Sequence, residues 1–368
     1  MKTLAIIAEY TPFHKGHHYQ LHKAKELSQA THTLAIMSGH FVQRGEPAIV
    51  NKWIRAKRAV EEGLDLVIEL PFIFATQSAE NFARGAVGIL SKTSVVDLLS
   101  FGHEADHLDE LYRLKDAYAA IDPEHIKKVM REGLSYPKAK EKITGYTLHQ
   151  PNDTLALKYL EALDYHHSSM VPLGIKRQGS YHDDSMSPQY PSATAMRKAL
   201  LEGSLHSHHP LHSMEELEML ILKNLILSPL THEILGVSEG IEHAINREAL
   251  RASCLDELLE AVRTPRFSRA RLKRLLIHYL FQFTKQDQQD LDQAYYVRPL
   301  AFNERGREIL KRMKDKLPLI SNPARVQADE HILRAFEYDI KSSNLYYSLE
   351  EPRHEAQMKP LNLEDPHA

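Results

Sequence analysis

The spacing of apolar residues changes period several times along the chain, and each change predicts an element. Residues 4–8 (LAIIA) form a short unbroken apolar run, too short for a helix and suited to a buried parallel strand. After a break at Pro12 the pattern turns helical from Gly16, with His17, Leu21, Ala24 and Leu27 on or near one face. Residues 32–38 (HTLAIMS) predict a second buried strand, ended by Ser38-Gly39-His40. Residues 43–47 read as a loop, and Pro47 suits the start of a helix that reaches about Gly63. Ile49, Trp53, Ala56 and Val60 share one side of that helix, and Lys52, Arg55, Lys57 and Arg58 read by default as a solvated face. Residues 64–70 (LDLVIEL) give a third strand closed by Pro71, residues 77–91 a helix, and residues 95–101 (VVDLLSF) a fourth strand stopped by Gly102. Residues 105–165 look helical, with Asn152 and Asp153 as an N-cap pair for DTLALKYLEAL. The strand pattern returns at residues 170–175, and a polar loop at 180–190 precedes a helix capped by Ser192.

Strands alternating with helices at this spacing predict an α/β domain with a doubly wound parallel sheet. Ligands of such sheets gather at the carboxyl ends of the strands. Four features fall there: the turn into His17, Ser38-Gly39, Pro71-Phe72 and Gly102-His103-Glu104. From Leu205 to about Phe283 the alternation stops, and residues 215–227 and 270–283 read as helices. The expected division is therefore residues 1–204, residues 205–350 as a mostly helical part, and residues 351–368 as a polar, proline-containing disordered tail.

The sharpest candidate chemistry is His14-Lys15-Gly16-His17 at the first strand-to-helix junction. Free backbone N–H groups and the helix dipole favour an anion there, and two imidazoles add donors for phosphate oxygens. Gly16 leaves room for a nucleotide to approach. With 23 histidines in the chain the four letters alone could arise by chance; their place after the first strand gives them weight. Arg177, just past a strand, is either a phosphate clamp or a plain surface residue. Ser192-Ala193-Thr194-Ala195-Met196-Arg197 sets hydroxyls and an arginine at a helix N-terminus, again suited to anionic oxygens.

Composition removes some classes. Net charge is −3, so any nucleic-acid surface must be local. Two local basic runs exist: Arg263, Arg266, Arg269, Arg271, Lys273 and Arg274, then Arg298, Arg305, Arg307, Lys311, Arg312, Lys314 and Lys316. With Tyr295, Tyr296 and Phe302 nearby, the second suits an RNA backbone and unstacked bases. His206, His208, His209 and His212 read as a solvated hinge before a metal site, because no second ligand cluster accompanies them. The lone Cys254 excludes a disulfide framework and a thiolate metal cluster, and no metal ligands are assigned. No signal-peptide pattern and no apolar run near the ~20 residues of a membrane span are present, so a cytoplasmic protein without membrane contact is expected.

The first junction and the Ser192–Arg197 element, in this order, resemble the nucleotidyltransferase and class I aminoacyl-tRNA synthetase superfamily. The combination AEYTPFHKGHHYQL, SGHFVQRGEPAIVNKWIRA, LDLVIELPF, LLSFGHE, PNDTLALKYL, GIKRQGSYHD, SATAMRKAL and VRPLAFNERGRE is more specific. It resembles the bacterial tRNA(Met) cytidine acetate ligases over essentially the whole chain. That resemblance implies a Rossmann-like nucleotidyltransferase domain followed by a helical tRNA-binding domain. It implies activation of acetate by ATP as acetyl-adenylate, then transfer of acetyl to the N4 amine of the wobble cytidine in elongator tRNA(Met). The ATP site carries over onto Ile7, Ala8, Glu9, Tyr10, Thr11, Pro12, Phe13, His14, Lys15, Gly16, His17, His18, Tyr19 and Gln20, and onto Gly102, Asn152 and Arg177. His14, His17, Arg177 and Arg197 are the expected donors to phosphate, with Mg²⁺ helping to neutralise charge. The family usually has asparagine at the place of Thr11 and often a smaller or polar residue at that of Lys15. Two other readings stand beside this one: a small-molecule adenylyltransferase without RNA, and a non-catalytic RNA-binding protein. The acetate pocket, the anticodon readers, a general base and the oligomeric state have no signature in the pattern.

Overall fold

The structure, a computed structural model, describes residues 1–146, 148, 150–177, 192–350 and 354–364. The first-half elements are β1 (Thr3–Ala8), α1 (Lys15–Ser28), β2 (His32–Ser38), β3 (Phe41–Val42), β4 (Glu46–Pro47), α2 (Lys52–Glu61), β5 (Leu66–Leu70), α3 (Phe72–Ala75), α4 (Ala79–Thr93) and β6 (Leu98–His103). Helices α5 (Leu108–Ala119), α6 (Pro123–Met130), α7 (Tyr136–Thr144) and α8 (Pro151–Tyr165) lead to β7 (Val171–Lys176) and α9 (Ala193–Leu201). The rest is α10 (Glu218–Leu227), α11 (Ile241–Ala249), α12 (Leu255–Val262), α13 (Arg269–Leu280), α14 (Lys285–Asp290), β8 (Pro299–Phe302), α15 (Glu304–Met313), α16 (Glu330–Tyr347) and β9 (Leu361–Asn362).

Among the described residues these strands form a seven-stranded sheet in the order β7-β6-β1-β2-β5-β8-β9 and a two-stranded ribbon, β3-β4. The first five strands of that order run parallel, with Leu4 opposite Thr33 and Leu98, and Leu34 opposite Leu66. Strands β2 and β5 are buried along nearly their whole length, as strands with helices on both faces are. Thus the expected α/β sheet with a helical second half is found, and the carboxyl ends of β1, β6 and β7 meet on one edge.

Four expectations change. The predicted helix at Pro47 starts instead at Lys52, because Asn51 caps it by accepting the Trp53 N–H at 3.0 Å, and Glu46–Pro47 pairs with β3. Two of its basic residues are not solvated. Lys52 is buried on Glu69 and Glu355, and Arg55 donates to the carbonyls of Glu9, Ser38, Gly39 and Val50, tying the ends of β1 and β2 together. Asn152 and Asp153 are not the cap of α8; Gln150 holds that place. Asp153 instead accepts the N–H groups of Glu104 and Ala105, and Asn152 donates to the Glu104 carboxylate, fastening α8 to the end of β6.

The tail is the fourth. Residues 354–364 are placed, with β9 pairing beside β8 and Glu355 fully buried. The second half also adds to the sheet, where β8 runs antiparallel to β5. Its aromatic side chains share a core with the first half: Phe72 lies 4.8 Å from Phe281 and 6.1 Å from Tyr338, ring centre to ring centre. The polar stretch at 180–190 lies outside the described residues.

Candidate nucleotide site

A cavity of about 760 Å³ opens at the carboxyl ends of β1, β6 and β7. The chain between β1 and α1 builds its floor. His14 caps α1: its Nδ1 accepts the Gly16 N–H at 3.0 Å, while His17 Nδ1 accepts the His14 N–H at 3.3 Å. The two rings stack, 3.7 Å between centres and 21° between planes. Because each Nδ1 accepts a backbone N–H, the proton of each neutral ring must sit on Nε2. Each neutral histidine therefore keeps one N–H to offer a ligand.

Neutrality follows from the surroundings. Burial first, then the positive charges of Arg177 and Arg197, push the His14 pKa down to about 4. Burial, then His14 and Arg177, hold His17 well below the ordinary histidine value. The positive charge of the site thus rests on arginine and lysine side chains and not on the histidines. Arg197, on α9, donates to the Thr11 carbonyl at 3.0 Å and to Thr194 Oγ1 at 3.1 Å. Ser192 caps α9 by accepting the Ala195 N–H at 3.0 Å, which sets the pitch of the helix that carries Arg197. Arg177 follows β7 and lies 3.7 Å from the Glu104 carboxylate. A side chain at Gly102 would stand 3.4 Å from Arg177 Cγ, so glycine leaves that arm its path into the cavity.

This is an anion pocket at the strand ends of a parallel sheet, with neutral N–H donors next to fixed charge, and comparison with known proteins gives it a family. A family model described as HIGH Nucleotidyl Transferase matches residues 1–360. A tRNA(Met) cytidine acetate ligase of Thermoanaerobacter sp. (strain X514) is 36% identical over 94% of this chain and 95% of its own. One from Caldanaerobacter subterraneus subsp. tengcongensis is 35% identical with the same coverage. The chain belongs to this family. A crystal structure of Thermotoga maritima TmcAL, apo form I, superposes with a TM-score of 0.89 at 30% identity, covering 98% of this chain and 99% of that one. The same protein bound with alpha-thio ATP gives a TM-score of 0.87 at 30% identity, with the same coverage.

Within the family's expected ATP site, Ile7, Ala8, Glu9, Tyr10, Thr11, His14, Gly16, His17, Tyr19, Gln20, Gly102, Asn152 and Arg177 line the cavity, as does Arg197. Pro12, Phe13, Lys15 and His18 do not. Phe13 packs on Tyr10 at 4.8 Å, Lys15 is exposed, and His18 lies 3.7 Å from the Glu62 carboxylate. Thr11, the family departure, accepts the Ile49 N–H on its hydroxyl at 3.1 Å, so it holds the start of the loop into α2.

Sequence reasoning missed one wall entirely. Arg44 and Glu46 from the β3–β4 ribbon, and Arg269 and Lys273 from α13, also line the cavity. Lys273 is ion-paired with Glu46. At Gly45 (φ +74°) any Cβ would lie 2.3 Å from the Arg274 backbone nitrogen, so ribbon and helix touch backbone to backbone. The only available signal was the basic run 263–274, and nothing in the sequence links it to a motif over 200 residues earlier.

The second basic run changes meaning. Arg298 is fully buried on Glu69 and Glu355, and Tyr295 and Tyr296 are buried, so none of the three is a surface for bases. The exposed cations of α15 lie at the opposite edge of the sheet: Asn303 donates to the Asp65 carbonyl and Glu308 meets His32, both at strand beginnings. In the histidine-rich segment, burial opposes charge on His212, but Glu350 and Glu216, each 3.0 Å away, outweigh it and raise its pKa. Among the described residues no group of three histidine, cysteine or acidic side chains is placed to hold a metal. No helix among them is long and apolar enough to cross a membrane.

Proposed function

We propose that the chain activates acetate with ATP and transfers the acetyl group to the N4 amine of the wobble cytidine of elongator tRNA(Met). One observation carries this reading: a stacked, neutral histidine pair whose Nε2–H groups have no hydrogen-bond partner among the described residues, beside Arg177 and Arg197, in a chain of this family. In the first step an acetate oxygen attacks the α-phosphorus, its bond to the β-phosphate bridging oxygen breaks, and pyrophosphate leaves. Little covalent work falls to the protein, so alignment and charge stabilisation dominate. His14 and His17 donate to the phosphates without carrying charge that burial would penalise. Arg177 and Arg197 balance the negative charge that builds on pyrophosphate. In the second step the cytidine N4 attacks the acetyl carbonyl carbon, the bond to the adenylate oxygen breaks, and AMP leaves with a proton lost from nitrogen.

Magnesium would reach this pocket on the triphosphate and water, its usual habit, because the described residues offer no cage of three ligands. When bound it would spread the charge of the departing pyrophosphate. Residues 205–350 would carry the RNA, with α13 bringing Arg269 and Lys273 to the mouth of the ATP pocket. Such a reaction belongs in the cytoplasm, where tRNA, ATP and acetate meet. The test is to incubate the protein with ATP, labelled acetate and a tRNA pool, then identify the labelled tRNA and base. Label on the wobble cytidine of elongator tRNA(Met) is expected. No labelled RNA, or adenylation of a phosphate acceptor instead, would remove this reading.

A further inference from the structure

A second cavity, of about 340 Å³, lies against a different face of α4. Ala79 and Phe82 of that helix face the nucleotide cavity, whereas Asn81, Arg84, Gly85 and Lys92 face the second one. Its other walls are Ile73, Phe74 and Gln77 in and after α3, the end of α8, Phe283 and the segment 288–295. Glycine is unfavourable inside a helix, yet α4 has two that admit neighbouring rings. A Cβ at Gly85 would lie 2.2 Å from the Phe74 ring, and one at Gly88 2.6 Å from the Tyr295 hydroxyl.

The chemistry of the lining is specific. The Arg84 guanidinium lies 4.3 Å over the Tyr165 ring, and that tyrosine is 55% exposed. Lys92 is exposed and makes no ion pair among the described residues. The carboxamides of Asn81, Gln288 and Gln293 make no hydrogen bond among them either. Arg84 also meets Glu80 at 2.9 Å, and Asp292 is the carboxylate at the rim. An exposed aromatic ring backed by an arginine is a stacking platform for a nucleobase. Free carboxamides read base edges, and an unpaired lysine receives a phosphate. The volume is at the low end for small-ligand sites and suits one nucleotide. From Asn81 to Lys92 the groove follows α4 for about 16 Å, enough for a nucleotide and the phosphate of its chain neighbour.

We propose that this groove is a second nucleotide subsite for the RNA substrate, holding a nucleotide other than the reacting cytidine. The inference rests on the acetate–tRNA reading above. RNA is favoured over a free nucleotide by the groove's length, the exposure of Tyr165, and its sharing of α4 with the catalytic cavity.

The test uses the full chain, ATP, labelled acetate and elongator tRNA(Met) transcript. Tyr165→Ala and Lys92→Glu are both surface changes outside the ATP pocket. Each should raise the KM for tRNA roughly tenfold, with acetate-dependent ATP–pyrophosphate exchange in the absence of RNA unchanged. Tyr165→Phe, which keeps the ring, should keep the wild-type KM. An unchanged KM in Tyr165→Ala and Lys92→Glu overturns the subsite. Labelled CMP that binds wild type and not Tyr165→Ala, without any change in the KM for tRNA, overturns the assignment to RNA. If wild type transfers no acetyl to tRNA, the underlying reading has failed instead, and the two failures are distinct.

Discussion

Glu355→Gln should destabilise the protein although it lies far from the chain's chemistry in sequence. The Glu355 carboxylate is fully buried and accepts from Lys52 at 2.9 Å, Arg298 at 2.7 Å and the Tyr347 hydroxyl at 2.8 Å. Glu69 takes the other side of Lys52 at 2.7 Å. Two cations thus face two carboxylates, all four side chains buried. Burial alone would push the Glu355 pKa up, but Lys52 and Arg298 hold it below the ordinary glutamate value. Asp339 close by is raised to about 8, by burial and then the charge of Glu69, so it adds little negative charge at neutral pH. Glutamine keeps the shape and removes one charge, leaving an excess buried cation. Breaking a buried pair in this way costs about 3–5 kcal/mol. At roughly 2 °C per kcal/mol for a chain of this size, the melting midpoint should fall by about 6–10 °C. Differential scanning calorimetry at fixed protein concentration reads this directly, and a chain ending at residue 353 should fall at least as far. The sign with pH is also set. A depressed carboxylate stabilises above its unfolded pKa and ceases to do so as pH falls through its folded one, so the gap between wild type and variant should close in acid. An unchanged midpoint at neutral pH would refute the reasoning.

Other consequences can be measured separately. His14→Ala and His17→Ala should each lower acetate-dependent ATP–pyrophosphate exchange by roughly 10²–10³, the usual loss of a transition-state donor, with the far-ultraviolet circular dichroism retained. The depressed histidines make ATP binding proton-linked: phosphates should raise both pKa values, so binding takes up protons and tightens as pH falls from 7 toward 5. Calorimetry in two buffers of different ionisation enthalpy would show that uptake, and its absence would mean that both rings stay neutral beside the bound phosphates. In the free protein the same shifts act oppositely on folding: the unfolded chain binds more protons, so stability falls as pH drops from the ordinary histidine value toward about 4. Gly16→Ala puts a methyl 2.9 Å from His14 Cε1 and should turn that ring, raising the KM for ATP about tenfold with little change in melting midpoint.

The parallel sheet was legible because β1, β2 and β5 each carry a short apolar run, a pattern suited to strands covered on both faces. The histidine pair was legible because its chemistry is local: strand end, glycine and helix start all lie between Ala8 and Gly16. Three things were not. Lys52, Arg55 and Arg298 look like surface cations in sequence, because the carboxylates and carbonyls that take their charge come from elsewhere in the fold. The tail reads as disordered because its composition is polar, and a single buried glutamate with a two-residue strand is enough to anchor it. The α13 wall was hidden for the same reason: Lys273 and Glu46, which meet in the fold, stand 227 positions apart in the chain. Charge in this sequence is a poor guide to exposure wherever a long-range partner exists.

The claim on which the account turns is that the triphosphate lies against the histidine pair at the strand ends. A crystal structure of this chain with a non-hydrolysable ATP analogue tests it most directly. The account predicts phosphate oxygens within hydrogen-bonding distance of Nε2 of His14 and His17, with Arg177 and Arg197 around them. A triphosphate bound away from both rings, in the α4 groove or elsewhere, would contradict it.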